Sequence, residues 1–132
     1  MPGGLDLPKG EWVFRRIPYS SGWVKPDGSV DLAAFLPNKG DTTGLSLSRV
    51  ASAAQAAATG KRGKRFYAVA MLVDDLQAQN LKVIADEPGH AEIEGWTFDA
   101  RNDPEVRRLA AWMTTVCNRA EGPFDGEYDP PA

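Results

Sequence analysis

One segment constrains the fold of this chain more than any other: residues 103–122 carry the full set of marks of a capped amphipathic helix. Asp103 is placed to cap it, Pro104 takes the first helical position where no N–H is needed, and Glu105 suits the positive end of the dipole. Val106, Leu109, Ala110, Met113, Val116 and Cys117 recur at helical spacing on one stripe, and Gly122-Pro123 stops the run. A helix with one apolar stripe must bury it against another layer, and most of the remaining chain reads as short extended segments. The pattern predicts an α+β fold: a small mixed, mainly antiparallel sheet, covered on one side by this helix and by an alanine-rich helix from the middle of the chain.

The extended segments follow from local chemistry. Residues 11–17, rich in aromatic and β-branched side chains and closed by Pro18, predict a first strand inside the sheet, with Trp12 and Phe14 on one face and Val13 and Ile17 on the other. Pro26-Asp27-Gly28 between residues 23–25 and 29–31 predicts a small hairpin, after which Asp31 caps one helical turn that Pro37 ends. Residues 45–47 alternate as a short strand. Ser48 is placed to cap a helix over residues 49–59 that Gly60 closes. Residues 66–73, apolar almost throughout, predict a central strand; residues 74–80 a short turn or helical turn; residues 81–85 another strand. After Glu87-Pro88-Gly89, residues 91–96 alternate as a half-buried edge strand. The expected core includes Trp12, Phe14, Phe66, Val69, Met71, Ile84, Leu109, Met113 and Val116. Residues 1–10 read as a flexible lead-in, 11–122 as a single domain and 123–132 as an acidic tail that Phe124 and Tyr128 pin to the body.

Composition narrows the function classes. A chain of 132 residues, 42% hydrophobic and 25% charged, has the make-up of an ordinary globular domain. With Cys117 alone, no intrachain disulfide forms, and the expected setting is reducing and cytoplasmic, without a membrane span. The net charge of −3 hides an asymmetry: residues 61–65 read Lys-Arg-Gly-Lys-Arg, and taking those four from the 15 basic residues leaves 11 against 18 acidic. A mildly acidic body with one basic loop excludes general nucleic-acid affinity, while Lys61, Arg62, Lys64 and Arg65 remain a candidate local contact for a phosphate or nucleotide.

No phosphate-binding glycine loop, nucleophile elbow or paired metal-ligand spacing occurs, so neither cofactor nor metal is expected. The densest polar group is Asp86-Glu87-Pro88-Gly89-His90-Ala91-Glu92-Ile93-Glu94. It sets the one histidine among carboxylates able to hold an imidazole in one tautomer for acid/base work. A second arrangement spans the chain: Arg15 and Arg16 on the first strand, Ser46-Leu47-Ser48 on a middle one, and Glu92-Ile93-Glu94 on a later one. That order resembles the arginine–serine–glutamate class of ADP-ribosyltransferases. The resemblance implies phosphate contact by Arg15 or Arg16, a nicotinamide pocket shaped by Ser46, ribose orientation by Glu94 and acceptor steering by Glu92. Leu47 stands where that class has threonine, and the stretch from Arg16 to Ser46 is short for its NAD-binding helices. Taken together, the sequence favours a non-enzymatic binding or accessory module acting through a protein partner. The alternative is a small enzyme centred on His90 with Glu94 or Glu92, acting on a nucleotide-containing substrate.

Overall fold

A computed structural model of the protein describes residues 5–129. Seven strands, β1 (Leu5–Asp6), β2 (Trp12–Pro18), β3 (Gly44–Ser48), β4 (Arg65–Leu72), β5 (Val83–Glu87), β6 (His90–Glu94) and β7 (Glu121–Asp125), form one sheet ordered β1-β5-β6-β3-β2-β4-β7. Every neighbouring pair runs antiparallel. Three helices, α1 (Ala53–Ala58), α2 (Val73–Ala78) and α3 (Pro104–Val116), complete the expected α+β architecture.

The pleat sorts the side chains between two layers. Val13 and Ile17 of β2, Leu45 and Leu47 of β3, Val69 and Met71 of β4 and Ile93 of β6 share one core with Val106, Leu109, Ala110 and Met113 of α3. A one-turn helix, Leu32–Phe35, lies in the same layer and buries Phe35; Asp31 caps it by accepting from the Ala33 N–H at 2.9 Å. On the opposite face Phe14, Ala68 and Ala70 meet Ala53 and Ala56 of α1, whose small side chains allow close approach. The two helices therefore cover opposite faces, and the expected one-sided cover is corrected. α1 is too short to cover its face alone, and over β3 and β6 that face carries the polar side chains of Ser46, Ser48, His90, Glu92 and Glu94.

Several local expectations shift for identifiable reasons. α1 is capped by Ser52, whose hydroxyl accepts from the Gln55 N–H, and not by Ser48, which is the last residue of β3 and pairs with Phe14 and His90. Because the helix starts late it never reaches Trp12, which is 43% exposed rather than buried. Val116, at the last turn of α3, is half-buried. β6 is an interior strand, since it pairs with β5 on one side and β3 on the other, and β1 takes the edge beyond β5. β4 has a neighbour on each side but lies next to the other edge. Residues of both expected appendages join the sheet: Leu5–Asp6 as β1, followed by buried Leu7, and Glu121–Asp125 as β7. The rest of the expected lead-in and tail, residues 1–4 and 130–132, lies outside the described residues. The hairpin at Pro26-Asp27-Gly28 forms as predicted, with Gly28 at φ 86° and Val24 bridged to Val30.

Candidate active site

Ser46, His90 and Asp86 are brought together on the face of the sheet that α1 leaves partly open. The β3–β6 register sets Ser46 opposite Glu92 and Ser48 opposite His90, so Ser46 and His90 are diagonal neighbours on one face. Nε2 of His90 lies 2.5 Å from Oγ of Ser46. Nδ1 of the same ring lies 2.7 and 2.8 Å from the two carboxylate oxygens of Asp86. A carboxylate accepts only, so Nδ1 carries the proton it donates, and the neutral ring offers Nε2 to accept from the serine hydroxyl. That is the connectivity of a nucleophile, a general base and an orienting acid.

The chain folds this way because of the turn between β5 and β6. Gly89 takes φ 75°, a left-handed conformation that glycine adopts at little cost, and a shift of register between Ala85 and Glu87 aims Asp86 at the ring. Arg49 anchors the turn: its N–H donates to the Gly89 carbonyl at 2.9 Å, and its guanidinium grips both carboxylate oxygens of Glu11 at 2.7 and 2.8 Å. The hairpin carrying His90 is thus tied to the start of β2. The side chains of His90 and Asp86 are 29% and 31% exposed, so the imidazole is accessible without being loose.

A cleft of about 300 Å³ opens beside Ser46, at the small end of ligand-binding sizes. Its origin is a parting of β2 and β3, which share one paired position, Phe14 with Ser48. Continuing that register would set Arg16 opposite Ser46. Instead, the backbone of Ser46 is satisfied by side chains: its N–H donates to Asp41 Oδ1 at 3.0 Å and its carbonyl accepts from Arg15 Nη1 at 2.8 Å. Arg15 also donates to the carbonyls of Ala34 and Leu36. Burial pulls its pKa down to about 10 against the attraction of Asp41, which leaves it a cation at neutral pH. Buried Asp41 accepts from the N–H of Asn38 as well. Arg15 and Asp41 therefore wedge the strands apart, and Arg16, Asn38, Gly40, Ser48 and Phe66 line the gap between them.

The remaining expected site residues lie elsewhere or do other work. Glu92 is 6% exposed, with its carboxylate accepting from the Thr43 hydroxyl at 2.7 and 3.0 Å. Glu94 is exposed at the end of β6, and neither glutamate lines the cleft beside Ser46. Arg15 and Arg16 both line the cleft, but Arg15 is buried with its guanidinium committed to backbone carbonyls, whereas the guanidinium of Arg16 donates to no backbone carbonyl. In the basic loop, Arg62 pairs with Asp129 at 2.8 Å and donates to the Glu127 carbonyl, while Arg65, the first residue of β4, stacks 4.4 Å from the Tyr19 ring centre. Lys61 and Lys64 are exposed. The sequence sets Asp86 in the polar group around His90 but points to Glu94 and Glu92 as the partners of the ring, and it does not single out Asp41 or Asn38. Only Asp86 carried a signal, since its spacing of four from His90 across Pro88-Gly89 is what a tight hairpin brings together.

Among the described residues, no group of three or more His, Cys, Asp or Glu is placed to hold a metal ion, and no helix is long and apolar enough to cross a membrane. Comparison with family models, curated proteins and solved structures finds no match to this chain.

Proposed function

We propose that this protein is a small serine-dependent acyl hydrolase with Ser46 as nucleophile, His90 as general base and Asp86 as the residue that orients it. The observation that carries the reading is the continuous relay Ser46 Oγ–His90 Nε2 and His90 Nδ1–Asp86, with Ser46 shared between relay and cleft. In the reaction, Ser46 Oγ bonds to the carbonyl carbon of an ester as its proton passes to His90 Nε2. The bond to the leaving oxygen then breaks, and His90 returns the proton to that oxygen. Water repeats the sequence on the acyl-enzyme, freeing the acid and restoring the serine. The N–H of Ser46 is committed to Asp41, so the nucleophile's own backbone does not stabilise the oxyanion. Among the side chains lining the cleft, the amide of Asn38 is the neutral donor we assign to that role, and one neutral donor supports slower turnover than a paired backbone hole.

The test is labelling with a fluorophosphonate, mapped by mass spectrometry, beside hydrolysis of p-nitrophenyl butyrate. Labelling at Ser46, its loss in Ser46→Ala, and a drop in rate on the order of 100-fold in His90→Ala are expected. A parent protein that stays unlabelled and leaves the ester at its buffer rate would overturn the reading. The non-enzymatic binding module would then be the better account, with any phosphate contact by residues 61–65 falling to Lys61 and Lys64. The lone, half-buried Cys117 supports a cytoplasmic setting under either reading.

A further inference from the structure

Arg16 is exposed and has no acidic partner among the described residues, yet its guanidinium is oriented from two sides. Nη1 donates to the Thr59 hydroxyl at 2.7 Å, and the guanidinium lies 5.1 Å from the centre of the Phe66 ring. Thr59 is itself fixed, donating to the Ala56 carbonyl at 2.6 Å. One hydrogen bond and one aromatic face therefore orient the planar head while leaving most of its five N–H donors unused. The other charges of the cleft balance within it, because Arg15 and Asp41 offset each other while both hold the Ser46 backbone. A preset cation, Ser46 and Ser48 then share one cavity whose other walls include Phe14 and Phe66.

We infer that Arg16 is a specificity residue that binds an oxyanion group, carboxylate or phosphate, on the acyl part of the substrate, so that the enzyme favours esters of anionic acids over neutral ones. The inference rests on the hydrolase reading above and names the substrate class it would take. A planar guanidinium recognises a carboxylate or phosphate through paired N–H donors, and doing so in a partly enclosed cleft strengthens the contact relative to open water. The aromatic wall supports the carbon skeleton between the anionic end and the reacting carbonyl.

The experiment compares two p-nitrophenyl esters of equal carbon length, the hemisuccinate and the butyrate. The parent protein is expected to prefer the hemisuccinate in kcat/KM by roughly 10- to 100-fold, the factor a charge-assisted hydrogen bond contributes. Arg16→Gln should bring the ratio near one, and Arg16→Lys, which keeps the charge without the fork, should fall between. Equal rates on the two esters in the parent would refute the anion subsite while leaving the hydrolase intact. A second measurement needs no catalysis: succinate or inorganic phosphate is added to Ser46→Ala and the melting temperature followed. A rise that disappears when Arg16→Gln is added supports the subsite even if no ester is hydrolysed, and the stronger of the two anions identifies the oxyanion preferred. No rise with either anion counts against it.

Discussion

Gly44 shows how closely the site depends on single residues. A Cβ built there would lie 2.3 Å from the carbonyl oxygen of Ile93 and 2.4 Å from Glu92 Oε2, and the first of these is backbone that cannot swing aside. Gly44→Ala is expected to lower stability by about 1–3 kcal/mol, measured by denaturant unfolding, because β3 must shift away from β6. Since that pairing carries Ser46 to His90, fluorophosphonate labelling should weaken in parallel. Thr43→Val probes the same place differently: it leaves the buried Glu92 carboxylate without its hydroxyl donor, at a cost of about 1–3 kcal/mol. Asp86→Asn is the sharper test of chemistry. It keeps the size of the side chain but offers an N–H where Nδ1 needs an acceptor, favouring the wrong tautomer. Hydrolysis should fall steeply with little change in melting temperature; an unchanged rate would remove Asp86 from the mechanism. Cys117 belongs at this scale too. Burial raises its thiol pKa, so native protein should react slowly with a thiol reagent and unfolded protein quickly.

Among the elements, α3 was legible because its signals are local. Asp103 accepts from the N–H groups of Glu105 and Val106 at 2.8 and 3.3 Å, as the sequence predicts, and Val106, Leu109, Ala110 and Met113 are buried. Leu109→Ala should cost on the order of 2–5 kcal/mol in a denaturant melt, and a change within error would contradict its place in the core. α1 shows the limit of such reading. Ser48 and Ser52 are both good caps by type, and the choice between them is made by β3, which uses Ser48 to meet Phe14 and His90. Ser52→Ala is accordingly expected to cost about 1 kcal/mol. The same competition bears on Trp12: residues 49–51, expected as helix, lie beside it as loop and leave it exposed.

For the molecule as a whole, the last described residues are structural rather than an appendage. β7 pairs with β4, Phe124 packs against the smaller core, and the N–H groups of Gly126, Glu127 and Tyr128 donate to the carbonyls of Lys64, Ala58 and Gly60. Removing residues 121–132 would leave β4 as an unpaired edge and uncover Phe66. A shift to larger species than the full chain gives in size-exclusion chromatography is expected, because an exposed apolar edge strand recruits other chains. Local patterning determined the α+β class, the capped terminal helix, the Pro26-Asp27-Gly28 hairpin and the burial of most core strand residues. Each depends on hydrophobic periodicity or on conformational preference within a few residues, information that a chain carries along its length. Only the tertiary structure decided that β6 lies inside the sheet, that Asp86 rather than Glu92 or Glu94 meets the histidine, and that Arg15 and Asp41 part β2 from β3. Those outcomes depend on which strands become neighbours and in what register. A displacement of one residue in that register would turn Ser46 to the other face of the sheet and away from His90, and nothing within either strand alone specifies it.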